Sequence, residues 1–191
     1  MESLNLLALW RTGTKTLGPG VRYCIWTQGC PFNCKNCTTP EGRDLTDKIL
    51  VDPLKLADDI VSRDQITGIT ISGGEPFLQA QPLALMLKKV RALRPNIDVL
   101  AFSGYKYEDL VWEQARALLS QLDLLIDGEY VDSLNNGTGL RGSSNQRFIF
   151  LTDRLQVFKE EFENGVRAAE MIITDEGLFT IGIPKPKHKR I

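Results

Sequence analysis

The sequence contains no apolar run approaching the roughly 20 residues that a bilayer-crossing helix needs, so no membrane span is expected in its 191 residues. Charge of one sign is also missing. With 23 Lys and Arg against 24 Asp and Glu the formal net charge is -1, and nothing global points to nucleic acid. Leu4 to Trp10 is too short for an exported apolar core, and Glu2 stands where a basic flank belongs, so no signal peptide is expected. Internal repeats, low-complexity tracts and linker-like stretches are absent, which removes any need for a second domain. Cysteine is scarce: there are four, all between Cys24 and Cys37. That spacing makes a disulfide framework improbable and favours a reducing, cytoplasmic setting. It also leaves no thiols for a second metal cluster.

What is there is concentrated in Gly29-Cys30-Pro31-Phe32-Asn33-Cys34-Lys35-Asn36-Cys37. The CxxxCxxC spacing lets one short loop offer three thiolates to a single metal centre. A closed zinc site wants four ligands, whereas an iron-sulfur cubane held by three cysteines leaves one iron open to a substrate. A zinc knuckle borrowing a fourth ligand from elsewhere is the alternative on this spacing alone. Cys24 lies inside a strand-like run and reads as a small buried core thiol.

Along the chain, residues 4–20 form a turn-rich opening, expected to be a small hairpin cover. Residues 21–27, rich in β-branched and aromatic types, read as the first core strand. Asp52-Pro53 is a helix start with Asp as N-cap and Pro at the first helical position, and Leu54, Ala57, Ile60 and Val61 share one face. Strands follow at 66–72, 97–102 and 122–127. Between them lie a helix placing Leu83, Met86, Leu87, Val90 and Leu93 inward, and another over 107–120 through Leu110, Val111, Ala115, Leu118 and Leu119. The unbroken apolar run before Asp127 suits a parallel strand buried on both faces. A Gly, Asn and Ser-rich connection then leads to a strand at 148–151. Two apolar runs flanking Asp175-Glu176-Gly177 suggest a terminal hairpin over 166–183, and the basic residues near the C-terminus read as a solvated tail.

Repeated parallel βα units collect function where the strands end. Cys30, Cys34 and Cys37 follow the first core strand, Gly73-Gly74-Glu75 the second, Ser103-Gly104 the third and Asp127-Gly128 the fourth, so all are expected at one rim. The cysteine loop together with Ser72-Gly73-Gly74-Glu75-Pro76 resembles the radical S-adenosylmethionine (SAM) enzymes. Over about 17–150 the resemblance extends to the activating proteins of anaerobic (class III) ribonucleotide reductase and related glycyl-radical enzyme activases. It is carried by Leu17-Gly18-Pro19-Gly20, Trp26-Thr27-Gln28-Gly29-Cys30, Ser103-Gly104-Tyr105, Asp127-Gly128 and Arg141-Gly142-Ser143-Ser144-Asn145-Gln146-Arg147.

The resemblance implies an α/β fold, a partial TIM-type βα barrel with a C-terminal hairpin, built as one domain over 1–191. It implies that Cys30, Cys34 and Cys37 ligate a [4Fe-4S] cluster whose fourth iron takes the amino and carboxylate groups of SAM. Gly73, Gly74 and Glu75 would meet the methionine end of SAM, Ser103 and Asp127 its methionine or ribose part, and Arg141 to Gln146 would close the site or meet a partner. The implied activity is one-electron reduction by flavodoxin or ferredoxin and cleavage of SAM to methionine and a 5'-deoxyadenosyl radical. That radical takes hydrogen from a glycine Cα of a partner such as anaerobic ribonucleotide reductase. Modification of another peptide or of a small molecule by the same chemistry is the alternative.

Overall fold

The protein is described by a computed structural model over residues 2–174 and 177–184. The residues expected to turn the terminal hairpin at 175–176, and the basic run from 185 onward, lie outside that range. A seven-stranded sheet forms the centre. In chain order its parts are β1 (Leu4–Thr14), β2 (Arg22–Thr27), β3 (Ile49–Val51), helix α1 (Pro53–Val61), β4 (Gly68–Gly73), α2 (Ala80–Leu93), β5 (Asp98–Ser103), α3 (Glu113–Leu119), β6 (Leu124–Asp127) and β7 (Arg147–Phe150). A short helix α4 (Lys159–Asn164) and a separate two-stranded hairpin, β8 (Ala169–Thr174) with β9 (Gly177–Gly182), complete the described chain.

Strand order is β3-β1-β2-β4-β5-β6-β7. The four strands β2, β4, β5 and β6 are parallel, while β1, β3 and β7 add antiparallel edges. The parallel strands are added in one direction only. Right-handed crossovers therefore put α1, α2 and α3 on the same face. Tyr23, Ile25, Ile69, Ile71, Val99, Ala101 and Leu125 point at those helices and meet Leu56, Ile60, Leu83, Met86, Leu87 and Val90 in one fully buried core. Each Ile, Leu, Val or Met among them contributes about 1.5–3 kcal/mol by leaving water. The opposite face carries Cys24 and Trp26 of β2, Thr70 and Ser72 of β4, Leu100 and Phe102 of β5, and Leu124 and Ile126 of β6. No helix of the βα units covers it.

Local chemistry explains the boundaries. Asp52 caps α1, its Oδ1 accepting from Leu54 N at 2.8 Å and Lys55 N at 3.1 Å. The opening segment is not a separate cover: β1 is an 11-residue strand of the main sheet, drawn in because Leu4 and Leu6 bury completely on the helix side. The helix expected over 107–120 is shorter. Asp127 Oδ2 takes the N–H of Tyr107 at 2.7 Å, holding Tyr107–Asp109 as a separate 3-10 turn. Val111 is consequently 59% exposed and Leu93, at the end of α2, 56% exposed, so neither belongs to the core. Among the described residues, no helix is long and apolar enough to cross a membrane.

A buried cation floors the face opposite α1, α2 and α3. Arg22 has no exposure and pairs with Asp98 at 2.6 Å. Its guanidinium also donates to Thr70 Oγ1 at 2.6 Å, Ile69 O at 2.6 Å and Pro19 O at 3.0 Å, which draws the 17–20 turn onto the sheet. Thr70 Oγ1 in turn donates to Leu17 O at 2.8 Å. Removing one partner of such a network leaves buried groups unpaired, so Arg22→Ala is expected to lose about 3–5 kcal/mol of stability. Urea unfolding of the two proteins measures this.

Candidate functional site

The parallel strands end level, since the register pairs Thr27 with Gly73 and Ser103 with Asp127. The cysteine loop leaves β2 at this rim and is held on several sides. Gly29 N donates to Gly42 O at 2.8 Å and Cys30 N to Arg43 O at 3.3 Å, both from a 3-10 turn at Pro40–Arg43. Arg43 reaches back, donating from Nη1 to Asn33 Oδ1 at 3.0 Å and from Nη2 to Cys34 O. Phe32 packs edge-on to Tyr105 beyond β5, with ring centroids 4.9 Å apart, and Tyr105 packs on Trp112 at 5.6 Å. Asn36 adopts a left-handed φ of 55° and donates from Nδ2 to Asp132 Oδ2 at 2.8 Å. These contacts fix the loop between the sheet and the connection that follows β6.

Gly73 and Gly74 are required by the backbone. Gly73 has φ +106°, and a Cβ there would lie 2.4 Å from Thr27 N. A Cβ on Gly74 would lie 2.2 Å from Gly29 O and 2.6 Å from Gly42 O. Three chain segments thus converge at one point, locked by Gly74 N to Thr27 O and Glu75 N to Gly29 O, each 2.8 Å. Thr39 Oγ1 adds a bond to Gly73 O at 2.9 Å.

The Glu75 carboxylate is buried and fully engaged. It accepts from Phe77 N at 2.9 Å, Ser103 Oγ at 3.0 Å and Gly104 N at 2.7 Å, so it ties the end of β4 to the end of β5. Burial pushes its pKa from an ordinary 4.5 up to about 7, with the three hydrogen bonds pulling the other way. Ser103 Oγ also accepts from Tyr105 N at 3.0 Å.

Asp127 is placed differently from the other rim residues. Its carboxylate is fully buried, accepts from Tyr107 N and from Arg147, and does not line the cavity described below. Its neighbour Gly128 does line it. The connection after β6 is organised by Gln146, whose Oε1 accepts from Gly142 N at 2.7 Å and Ser143 N at 3.2 Å, while its Nε2 donates to Gly128 O at 2.8 Å. Arg141 caps this fold through Gln146 O at 3.1 Å and lies over the Phe148 ring.

Together these elements border an open cavity of about 940 Å³, lined at one end by Cys30, Cys34, Cys37, Gly73, Gly74, Glu75, Ser103 and Gly104. Burial pushes the Cys30 thiol up to about 11, opposed by a backbone hydrogen bond at Phe32, and also raises Cys34, opposed by a backbone hydrogen bond at Tyr130. Among the described residues no three His, Cys, Asp or Glu side chains close around a single ion. Three thiols lining one cavity suit a four-iron cluster, which three cysteines can hold with one iron left open. Arg43 lines the same end, and among the described residues its buried Nε has no hydrogen-bond partner, a donor suited to a cluster sulfur. The residues fit the group. Arg43, Thr39 and Phe32 were not expected from sequence; the one signal was position, Phe32 lying inside the cysteine loop and Thr39 and Arg43 just after it.

The comparisons with known proteins agree with this chemistry. A family described as a 4Fe-4S single cluster domain matches residues 16–149. The chain is 32% identical over 143 residues to the anaerobic ribonucleoside-triphosphate reductase-activating protein of Escherichia coli K12, covering 68% of this chain and 88% of that protein. It is 29% identical over 140 residues to the protein of the same name from Enterobacteria phage T4, covering 71% and 88%. The chain belongs to the radical SAM glycyl-radical activating enzymes. A further relative, the pyruvate formate-lyase-activating enzyme of Clostridium pasteurianum, is 31% identical over 138 residues, 65% of this chain and 54% of that protein. The 16–149 match takes in the cysteine loop, the Gly73–Glu75 turn and the Arg141–Arg147 run of this activase, and stops before α4 and the β8–β9 hairpin.

Two outcomes follow from the geometry. Gly74→Ala is expected to displace the cysteine loop and lower iron content after reconstitution to less than half, by iron analysis, because its Cβ meets backbone rather than a movable side chain. Glu75 has a folded pKa above its unfolded one, so the folded state holds the extra proton between about pH 4.5 and 7. In the cluster-free chain its contribution is therefore fully present below that window and lost as pH rises through it, by at most about 1.4 kcal/mol per pH unit. Glu75→Gln should flatten that segment of the stability profile measured by urea unfolding.

Proposed function

We propose that this activase holds a [4Fe-4S] cluster on Cys30, Cys34 and Cys37, cleaves SAM reductively, and installs a glycyl radical on a partner enzyme, with anaerobic ribonucleotide reductase as the candidate. The observation that carries the reading is the convergence of three thiols and the Gly73–Glu75 turn on one cavity. Held by Cys30, Cys34 and Cys37, the cluster would supply one electron for reductive cleavage of the carbon–sulfur bond of SAM, and the 5'-deoxyadenosyl radical so released would abstract the hydrogen. A flavodoxin or ferredoxin is the proposed donor.

The chain's own residues bind, orient and exclude water. Arg43 steadies the loop carbonyl at Cys34, and its Nε is the donor proposed for the cluster. Gly73 and Gly74 bring bare backbone to the wall where the methionine end of SAM is proposed to lie. Glu75 and Ser103 hold the ends of β4 and β5 at a fixed separation, acting on SAM through backbone groups as much as through their own oxygens. Asp127 is assigned a positioning part: by anchoring Arg147 and the Tyr107 turn it fixes Gly128 at the rim. The connection from Gly128 to Gln146 is proposed to meet the partner. The singly wound sheet, with α1, α2 and α3 on one face and the cavity on the other, supports reading the fold as a partial barrel, and the whole chain is proposed to act as one domain.

The test is anaerobic. Mixed with SAM, a reductant and an anaerobic ribonucleotide reductase from the same organism, the protein should give that enzyme a doublet glycyl signal in electron paramagnetic resonance. If SAM is consumed and no glycyl-radical enzyme of the organism gains the signal, the substrate is another peptide or small molecule. Cys30→Ala, Cys34→Ala and Cys37→Ala should each lose the cluster and the signal, whereas Cys24→Ala, a core thiol packed with Leu17 and Ile181, should keep both. Iron analysis decides it.

A further inference from the structure

The cavity has a second half that SAM chemistry does not explain. Away from the thiols it is walled by Trp10, Leu17 and Trp26 from the sheet side and by Ala169, Ile181 and Ile183 from the β8–β9 region. Among the described residues no charged side chain lines this half; Arg43 and Glu75, the charged ones on the wall, belong to the cysteine end. Trp10 Nε1 is satisfied by Gly13 O at 3.0 Å, so its ring presents apolar surface. A volume of about 940 Å³ is near the top of the range of roughly 300–1,000 Å³ for small-molecule sites. That leaves room for a second group beside SAM.

The hairpin side of this wall lies outside the matched family core, whereas Leu17 and Trp26 lie within it. Residues 16–149 end before the hairpin, whose strands pair only with each other among the described residues. The hairpin is seated by Ile172, Ile181 and Ile183 packing on Trp10, Leu17, Cys24 and Trp26. It is pinned by Lys15 N to Glu170 Oε1 at 3.0 Å and Thr16 Oγ1 to Ile181 O at 3.1 Å. Arg167, nearly buried, ties its base to the rim: Nη1 donates to Pro184 O at 2.9 Å and Asn135 Oδ1 at 2.7 Å, and Nη2 to Arg141 O. The hairpin is thus joined to the connection proposed to meet the partner.

We propose that the β8–β9 hairpin is the specificity element of this activase, walling an apolar subsite that accepts an uncharged aliphatic stretch of the partner polypeptide beside the reacting glycine and rejects a charged one. The polypeptide nature of the occupant rests on the activase reading; its apolar character rests on the wall. Burying a charge there without a counter-charge is unfavourable, whereas aliphatic side chains gain by leaving water.

Trp10 and Trp26 line the subsite and report on it. The reconstituted protein, without SAM or reductant, is titrated with acetyl-Ser-Leu-Val-Gly-Leu-Ser-amide and with its counterpart carrying aspartate at both leucines, following tryptophan fluorescence. The expected result is saturable binding of the aliphatic peptide and at least tenfold weaker binding of the aspartate peptide. Ile183→Asp should weaken the aliphatic peptide at least tenfold, and Ile183→Ala about threefold, with cluster content showing that each variant is folded; should Ile183→Asp lose its cluster, Ile183→Ala decides. No binding of either peptide, equal binding of both, or wild-type binding by the folded variants would overturn the proposal. Because no SAM is present, such a failure leaves the activase reading standing, while failure of radical transfer alone leaves the subsite standing.

Discussion

Everything at this site depends on the approach of three backbones at Gly74. The carbonyls of Gly29 and Gly42 sit where a Cβ of residue 74 would be, and the hydrogen bonds of Gly74 N and Glu75 N bolt the end of β4 to Thr27 O and Gly29 O. Without that closeness the cysteine loop has no fixed platform. With it, the position of Cys30 is inherited from the sheet, and Arg43 and Phe32 then orient the remainder of the loop. A ligand set becomes accurate when its support is rigid, and here the support is backbone on backbone.

The winding of the sheet sets the second constraint. Adding β2, β4, β5 and β6 in one direction sends every crossover helix to one face and leaves the other face in need of cover. At its floor the cover is the 17–20 turn held by Arg22. Near the rim it is the connection after β6, and on the β1–β2 side it is the terminal hairpin. The space left between these covers and the strands is the cavity. Fold and site are consequences of the same topology, and the hairpin that closes the fold also shapes what can enter.

Much of this was legible in the sequence. The four parallel strands could be read because their apolar runs are short, punctuated and separated by helical spacing, and α1 because Asp52-Pro53 is a start signal with a mechanism. The gathering of Cys30, Gly73, Ser103 and Gly128 at one rim followed from placing strand ends. β1 was not legible as a sheet strand because its register shifts between Leu6 and Ala8 and between Trp10 and Thr14, which breaks the alternation a strand shows. The pairing of Asp127 with Arg147 was hidden because the two are remote in sequence and become neighbours only when β6 and β7 pair. Arg43 lies in no periodic segment, so only the folded loop shows that it grips Cys34.

The central claim is that three thiols in this cavity hold a cluster able to open SAM. The direct test is to reconstitute the protein anaerobically with iron and sulfide, reduce it, add SAM, and quantify 5'-deoxyadenosine and methionine by liquid chromatography. The account predicts a brown protein with about four irons per chain and the two products in equal amounts. A fully loaded cluster that leaves SAM intact, or a colourless protein holding stoichiometric zinc after the same treatment, would contradict it.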